Sequence, residues 1–391
     1  MKKLSYIIIY LISGSFAFSQ NNINAVLSEI ELNNTTLAAY RKNSKAEITG
    51  NKTGLFPENP EVQFGYLWGS PDMIGNRTDI EVTQAIDFPT VYVYQSQISS
   101  IKNEQEEQKY MKQRNSIILQ GRLLCAELTY LNAMSQEYQI RLKNNQVLAN
   151  AYKRKMELGE TSILEHNKAQ INLLNTEKQL EKINIERNSV LQQLQAINGG
   201  KQIVFNDSVF VTEPLESDFE IWYASAEKNN PILGWVKNEA IIAEKENKLS
   251  MAKSLPKISA GYMSEKVLNE QFAGITLGIS IPLWENKNEV KYSKLKAQAA
   301  ESFENDAKLQ FYNNMKRLHK KAVALQLSVE DYKLRIKENN NIALLEKALK
   351  KGEISLSEYY YELMVYYDSK EKLLDMEKEL QNCIAQLRIY N

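Results

Sequence analysis

LGETSILEH at residues 158–166 and KKGEISLSE at 350–358 write the same turn twice. In each, a glycine (Gly159, Gly352) is followed at once by a glutamate (Glu160, Glu353) and two places later by a serine (Ser162, Ser355), and the glycines lie 193 residues apart. Taken singly, each is an ordinary helix end, with glycine in the left-handed conformation and serine near the start of the next helix. A matched pair requires a larger repeat around it. The eight prolines fall at 57, 60, 71, 89, 214, 231, 256 and 282, which leaves 90–213 and 283–391 free of them. Because an interior proline costs about 3 kcal/mol, such runs are what long helices require. The only glycines within them are Gly121, Gly159, Gly199, Gly200 and Gly352.

The sequence therefore predicts one helix from about Val91 to Leu158 and another from about Lys287 to Lys351, each on the order of 100 Å long at ~1.5 Å per residue. Beyond each turn a second helix carries a seven-residue spacing. Leu173, Leu180 and Leu194 with Ile183, Val190 and Ile197 form it in the first half; Tyr366, Leu373 and Leu387 with Met376, Cys383 and Tyr390 form it in the second. The stripe is narrow, Arg187 interrupts it, and the remaining surface is polar. That suits helix against helix, so each half is expected to hold an antiparallel helical hairpin bent at its glycine. The proline-containing parts repeat as well, at an offset of 196: Asn33-Asn34 with Asn229-Asn230, Pro60, Gly65 and Tyr66 with Pro256, Gly261 and Tyr262, and Gln84 and Phe88 with Ser280 and Trp284. The chain reads as an internal duplication, with an export signal at 1–19, a first repeat at 20–200, a linker at 201–217 and a second repeat at 218–391.

Composition narrows the function. Lys plus Arg (48) balances Asp plus Glu (48), so no basic footprint for nucleic acid is present. Tyrosine (21) outnumbers phenylalanine (11) and tryptophan (4), which favours a long wetted surface over one compact core. Lys2 and Lys3 precede a mostly apolar Leu4–Phe18, and Ala17-Phe18-Ser19 offers small residues for a signal peptidase, with cleavage expected before Gln20. No later stretch reaches the ~18 to 20 apolar residues of a membrane helix, so any crossing must use strands. Cys125 and Cys383 each sit in a helical pattern and read as small buried hydrophobes, a disulfide between them being the alternative.

Four segments alternate with period two. Val62, Phe64, Tyr66 and Trp68 oppose Glu61, Gln63 and Gly65; Ile80, Val82, Ile86 and Phe88 oppose Glu81, Thr83 and Asp87. In the second half PKISAGYMSE and FAGITLGISIPLW repeat the pattern, with strands expected near 61–69, 79–88, 257–265 and 272–284. A half-exposed soluble sheet has this pattern too, and so does an outer-membrane strand of about ten residues. Four strands cannot close a barrel and an open edge is too costly in lipid, so strands that span must be shared between chains; three copies would give twelve.

These residues resemble the TolC-like outer-membrane efflux channels. The resemblance covers nearly all of the mature chain: the duplicated order of helix, two strands, long helix, turn and helix, the NNPIL stretch, LPKISAGY leading into a strand, and the paired turns LGETSIL and KGEISLS. VTQAIDFPTVY at 82–92 most resembles the branch that works with heavy-metal pumps of the resistance-nodulation-division class. The resemblance implies a fold that is mostly α with a small β part. Long helical hairpins would form a hollow periplasmic cylinder, and four strands per protomer would close a twelve-stranded barrel in a homotrimer embedded in outer-membrane lipid. A periplasmic adaptor and an inner-membrane pump would load cargo, heavy-metal cations or drugs, at the lower end, with no cofactor. Leu158, Gly159, Glu160 and Ser162 with Lys351, Gly352, Glu353 and Ser355 would be the adaptor-contacting tips, and Tyr66, Trp68, Phe88, Tyr262 and Trp284 the membrane-interface aromatics. Relatives often carry an acidic residue six places after the turn glycine, where Glu165 and Glu358 stand here. With Tyr359 and Tyr361 these are the gate candidates, Glu358 first, because Tyr359, Tyr360 and Tyr361 beside it supply donors and bulk. Rings of such carboxylates favour cations, yet both glutamates also suit a solvated helix start. Many relatives carry a lipid-modified cysteine after the signal; Gln20-Asn21-Asn22 stands here instead, so anchoring is expected to rest on the barrel.

Three other functions compete. A periplasmic adaptor or coiled-coil scaffold would have one hairpin rather than two alternating with strand pairs, and a type I protein-secretion outer channel would share the architecture with different cargo. An exported enzyme has little to work with: the only histidines, His166 and His319, read as surface or packing residues on helices, and no nucleophile elbow, phosphate loop or H-E-x-x-H is present.

Overall fold

The computed structural model describes residues 21–211, 214–284 and 286–390, so the expected export signal lies outside the described residues. In chain order the elements are α1 (Asn21–Asn33), α2 (Thr35–Gly50), β1 (Glu61–Leu67), β2 (Arg77–Ile86), α3 (Pro89–Glu157), α4 (Ile163–Ile197), α5 (Phe219–Asn229), α6 (Pro231–Lys253), β3 (Lys257–Val267), β4 (Glu270–Ser280), α7 (Glu289–Glu338), α8 (Ile342–Lys351) and α9 (Leu356–Arg388). The described residues fall into two compact units, one within Met1–Ala38, Arg114–Ala224 and Met315–Asn391, the other within Ala39–Gln113 and Ser225–Asn314.

The second of these units holds the sheet. Its strands run antiparallel in the order β1-β2-β3-β4, so each half of the chain supplies one hairpin and β2 pairs with β3 to join them. Register decides which face is apolar. Val62, Val82, Tyr262 and Ile275 form one row across all four strands, and Ile86, Ile258 and Ile279 form another on the same side. On the opposite face the rows are Glu61, Thr83, Gly261, Thr276 and Gln63, Glu81, Met263, Gly274. The apolar face is bare: Val62 is 69%, Ile275 82% and Leu277 80% exposed. The starts of β1 and β3 fall where expected and the other strand limits differ by two to four residues, so Trp68, Phe88 and Trp284 lie just past strand ends. Beneath the sheet α6 packs on α3 through Gln105, whose amide donates to the Trp235 carbonyl at 3.3 Å and to Glu239 at 3.0 Å.

The other unit is helical. The seven-residue seams are inward as expected, with Ile183, Leu194, Cys383 and Leu387 buried. Arg187, which interrupts the stripe, reaches sideways, its Nε donating to Asn132 Oδ1 at 2.5 Å. Both cysteines are buried and free. Of the surface and packing roles expected for the histidines, His319 takes the packing one. It is 2% exposed, packed edge-on to Phe219 at 5.6 Å, with Nε2 2.6 Å from the Glu216 carbonyl oxygen. The aromatic cluster of α5 is brought to it by tertiary packing, which no helical period in its own segment could announce.

The asparagine pairs of the duplication are helix caps. Asn34 Oδ1 accepts from the Leu37 amide at 2.9 Å, and Asn230 Oδ1 from the Ile232 amide at 2.8 Å, satisfying first-turn donors of α2 and α6. One expectation fails. The second long helix is not continuous to Lys351; it stops at Glu338 and restarts at Ile342. Asn339 keeps its backbone bond to the Arg335 carbonyl at 3.1 Å and adds one from Nδ2 at 2.8 Å, whereas Asn340 Oδ1 accepts from the Ile342 amide at 3.3 Å, the donor a continuous helix would have turned to Glu338.

Candidate functional site

The two turns have the same geometry. Gly159 has φ 72° and Gly352 φ 75°, in the left-handed region that glycine occupies without strain. The Glu160 amide donates to the Lys155 carbonyl at 2.8 Å, and the Glu353 amide to the Ala348 carbonyl at 3.0 Å, closing the upstream helices in matching fashion. Ser162 and Ser355, both extended, cap α4 and α9 by accepting from the Glu165 amide at 3.3 Å and the Glu358 amide at 3.2 Å.

The two glutamates then part company. Glu358 completes a capping box, Oε2 accepting from the Ser355 amide at 2.7 Å. That backbone hydrogen bond, followed by the one with the Ser355 side chain, holds its carboxyl below the usual range. Glu165 closes no such box. Its nearest cation is Lys168 at 3.5 Å, and Oε2 is buried without a hydrogen-bond partner. Glu358 is committed to its helix start, and Glu165 holds the uncommitted oxygen.

Tyr359 and Tyr361 are also separated. Tyr359 is buried in a core of Ala149, Tyr152, Ala169, Leu356 and Leu363, where burial pushes its hydroxyl up to about 12. It joins the hairpins and lines no open surface. Tyr361 is 62% exposed. Around the turns Leu158, Ile163 and Leu164 are exposed, an apolar tip that the first hairpin leaves uncovered, while Lys351 and Glu353 pair with each other at 3.3 Å.

Above the tip lies a cluster the sequence reading missed. Arg141 of α3 is 7% exposed in its side chain, between the rings of Tyr138 (4.4 Å) and Tyr367 (3.9 Å). Its Nη1 donates to Glu371 Oε1 at 2.5 Å, Tyr138 donates to the same oxygen at 3.0 Å, and Lys370 donates to Glu137 at 2.6 Å. These bonds tie α3 to α9. One arginine of four within a polar helix carries no period that sets it apart from the solvated charges around it. The nearest signal is the Tyr366-Tyr367 pair followed by Lys370-Glu371 in α9.

At the sheet the aromatic residues sort by end. Tyr66 and Trp68 stack edge-to-face at 5.6 Å at one end, whereas Phe88 and Trp284 follow the last residues of β2 and β4 at the other. Strands of ten or eleven residues put those ends roughly 30 Å apart at ~3.3 Å per residue. Tyr262 belongs to neither end. Register places it opposite Val82 and Ile275, in the middle of the apolar face. Among the described residues no helix is long and apolar enough to cross a membrane, and no group of three or more His, Cys, Asp or Glu could hold a metal ion.

This arrangement is similar to that of solved outer-membrane channels. The chain superposes on the CmeC outer membrane channel of Campylobacter jejuni with a TM-score of 0.75 at 14% identity, over 94% of this chain and 85% of that one. It matches the outer membrane protein VceC of Vibrio cholerae with a TM-score of 0.72 at 12% identity, over 95% of each chain. The open state of the Neisseria gonorrhoeae MtrE outer membrane channel gives 0.72 at 13% identity, over 94% and 88%. The chain thus has the TolC-like outer-membrane-factor fold. No protein-family model matches the sequence, and no curated protein matches it. At such identities the likeness carries the fold, and residue roles rest on the chain's own geometry.

Proposed function

We propose that the chain is one third of an outer-membrane channel. Three copies close a twelve-stranded barrel around a passive conduit, which receives cargo from a periplasmic adaptor and an inner-membrane pump and releases it outside. The observation that carries this reading is the sheet. It has one bare apolar face, one polar face and two unpaired edges, β1 and β4. Alone it would leave edge N–H and C=O groups unmet in lipid, at several kcal/mol each; paired edge to edge with identical copies it leaves none. Its apolar face then meets lipid and its polar face the lumen, with aromatic residues at both ends. The bare tips at Leu158, Ile163 and Leu164, with their counterpart at Gly352–Ser355, suit an adaptor's helical hairpins. Glu165 and Tyr361 are the gate residues the geometry favours, Glu358 acting through its cap. A conduit of this kind performs no catalysis.

The test is the state of the purified protein. Detergent extraction should yield a heat-modifiable trimer from the outer-membrane fraction, conducting ions in planar bilayers. A monomer that stays in solution without detergent refutes the proposal.

A further inference from the structure

Helices α3, α4 and α9 enclose an open groove of about 620 Å³, within the span of drug-sized binding sites. Its floor is Arg141, its α4 wall carries Asn172, Asn175 and Gln179, and its α9 wall carries Tyr360, Tyr361 and Met364. Three buried donor atoms on two residues are unmade here. Arg141 spends Nη1 on Glu371, but Nη2 and Nε make no hydrogen bond, the closest carboxylate oxygen to Nε being 3.7 Å away on Glu137. The Tyr360 hydroxyl is likewise buried without a partner, and desolvation raises it above the usual tyrosine range. A buried donor left unmade is a standing cost that an incoming acceptor removes.

The charges say what kind of acceptor. Arg141 and Lys370 face Glu137 and Glu371, while Asp368 is held by Lys372 at 2.6 Å, so the groove has no excess of either sign to favour an ion. An added carboxylate would meet Glu371, already on Nη1; an added cation would meet the guanidinium. What remains is the unmade donors of Arg141 on the floor and Tyr360 on one wall, amides opposite, and the exposed apolar surfaces of Tyr361 (62%) and Met364 (60%).

We propose that this groove binds an uncharged, ring-bearing molecule whose oxygen acceptors meet Arg141 Nη2 and the Tyr360 hydroxyl while its ring packs on Tyr361 and Met364. The site is complete within one protomer and does not depend on the channel reading.

7-Methoxycoumarin is a suitable probe, being neutral, fluorescent and rich in oxygen acceptors. Equilibrium dialysis of the full-length protein in detergent, against protein-free micelles, should show saturable binding of one probe per protomer. Tyr360→Phe and Arg141→Met should each weaken it about tenfold, and coumarin-3-carboxylate and naphthalene should bind at least tenfold more weakly than the probe. Tyr360→Phe removes a single hydroxyl and keeps the shape, so the test survives if Arg141→Met does not fold. The proposal is overturned by non-saturable uptake, by unchanged affinity in Tyr360→Phe, or by preference for the carboxylate. It is also overturned if dissociated protomers bind the probe and trimers do not, since a neighbouring copy would then fill the groove. Bilayer conductance on the same sample separates this outcome from failure of the channel reading.

Discussion

Gly352 isolates the energetics of the repeated turn. Its φ is 75°, and a Cβ built there would meet nothing within 4 Å, so packing contributes nothing to the cost of substitution and backbone conformation contributes all of it. An L-residue in the left-handed region costs roughly 1–2 kcal/mol, and alanine regains about 0.4–1 by stiffening the unfolded chain, which leaves about 1 kcal/mol for Gly352→Ala. A β-branched valine should cost about 2 kcal/mol, and asparagine, which tolerates this region, close to none. The short helix α8 carries no fully buried residue, so this strain should appear as local opening rather than global unfolding. Hydrogen exchange at the Glu353 amide, bonded to the Ala348 carbonyl at 3.0 Å, reads it directly. Protection should fall about fivefold in alanine and about thirtyfold in valine, and hold in asparagine. Gly50, with equally open space and no positive φ, is the control: its alanine variant should be neutral or stabilising. Equal protection in Gly352→Ala, or an asparagine variant as poor as valine, would show that the turn is not left-handed in solution.

Three further outcomes follow from the same geometry. Gly199 has φ 67°, and a Cβ there would lie 2.4 Å from the Asn33 carbonyl oxygen, whereas Gly200 at φ 84° has open space; Gly199→Ala should lose about 3 kcal/mol and Gly200→Ala about 1, read by thermal melting of the trimer. Because the folded-state carboxyl of Glu358 is depressed, its stabilising contribution is present above the unfolded value near ~4.3 and is lost as pH falls through the folded one. Carbon-detected titration should find Glu358 below a free glutamate, and Ser355→Ala should raise it; a titration unchanged by that variant would break the cap argument. Arg141→Met, which leaves Glu371 without its guanidinium, should destabilise the protein by about 3 kcal/mol, and Glu371→Leu added to it should restore part of that loss in a double-mutant cycle.

What the sequence made legible was whatever has a period or a repeat. Proline-free runs announced α3 and α4, alternation announced the four strands, and the two glycine turns announced their φ values before any backbone was seen. Fine boundaries were less readable because strand ends are set by pairing: Thr78 belongs to β2 by bonding opposite Tyr66 and Lys266, not by its own type. The site was harder still. Glu165 and Glu358 occupy equivalent places, and what separates them is whether the carboxylate folds back onto its own capping serine. Tyr359 and Tyr361 are two residues apart on α9, so about 200° around the helix, and only the position of α3 decides which is buried. Arg141 was invisible because the neighbours that close the cluster, Tyr367 and Glu371 of α9, arrive from more than 220 residues away.

Two runs of asparagine show how neighbouring helices help decide whether such a run breaks a helix. Asn144-Asn145 in the first half and Asn339-Asn340 in the second each precede a tip hairpin. In α3 the helix runs straight through the pair, where Asn145 donates to Thr176 Oγ1 of α4 at 2.8 Å and Asn144 faces Tyr367 of α9. With their amides engaged on neighbouring helices, these side chains do not compete for their own backbone. The second pair has no such partners: Asn339 turns to Arg335 and Asn340 to Ile342, and the helix breaks. The second run is one asparagine longer, Asn339-Asn340-Asn341, so poorer helix propensity adds to its lack of partners on neighbouring helices. The same competition makes α8 a separate short segment, held through Ile342, Leu345 and Leu349 against the core of Tyr152, Leu356 and Tyr359. One tip hairpin is thus braced by an unbroken helix of 69 residues, and the other hangs on a ten-residue one. If one of the two hairpins moves more readily, the hydrogen bonds place that motion in the second.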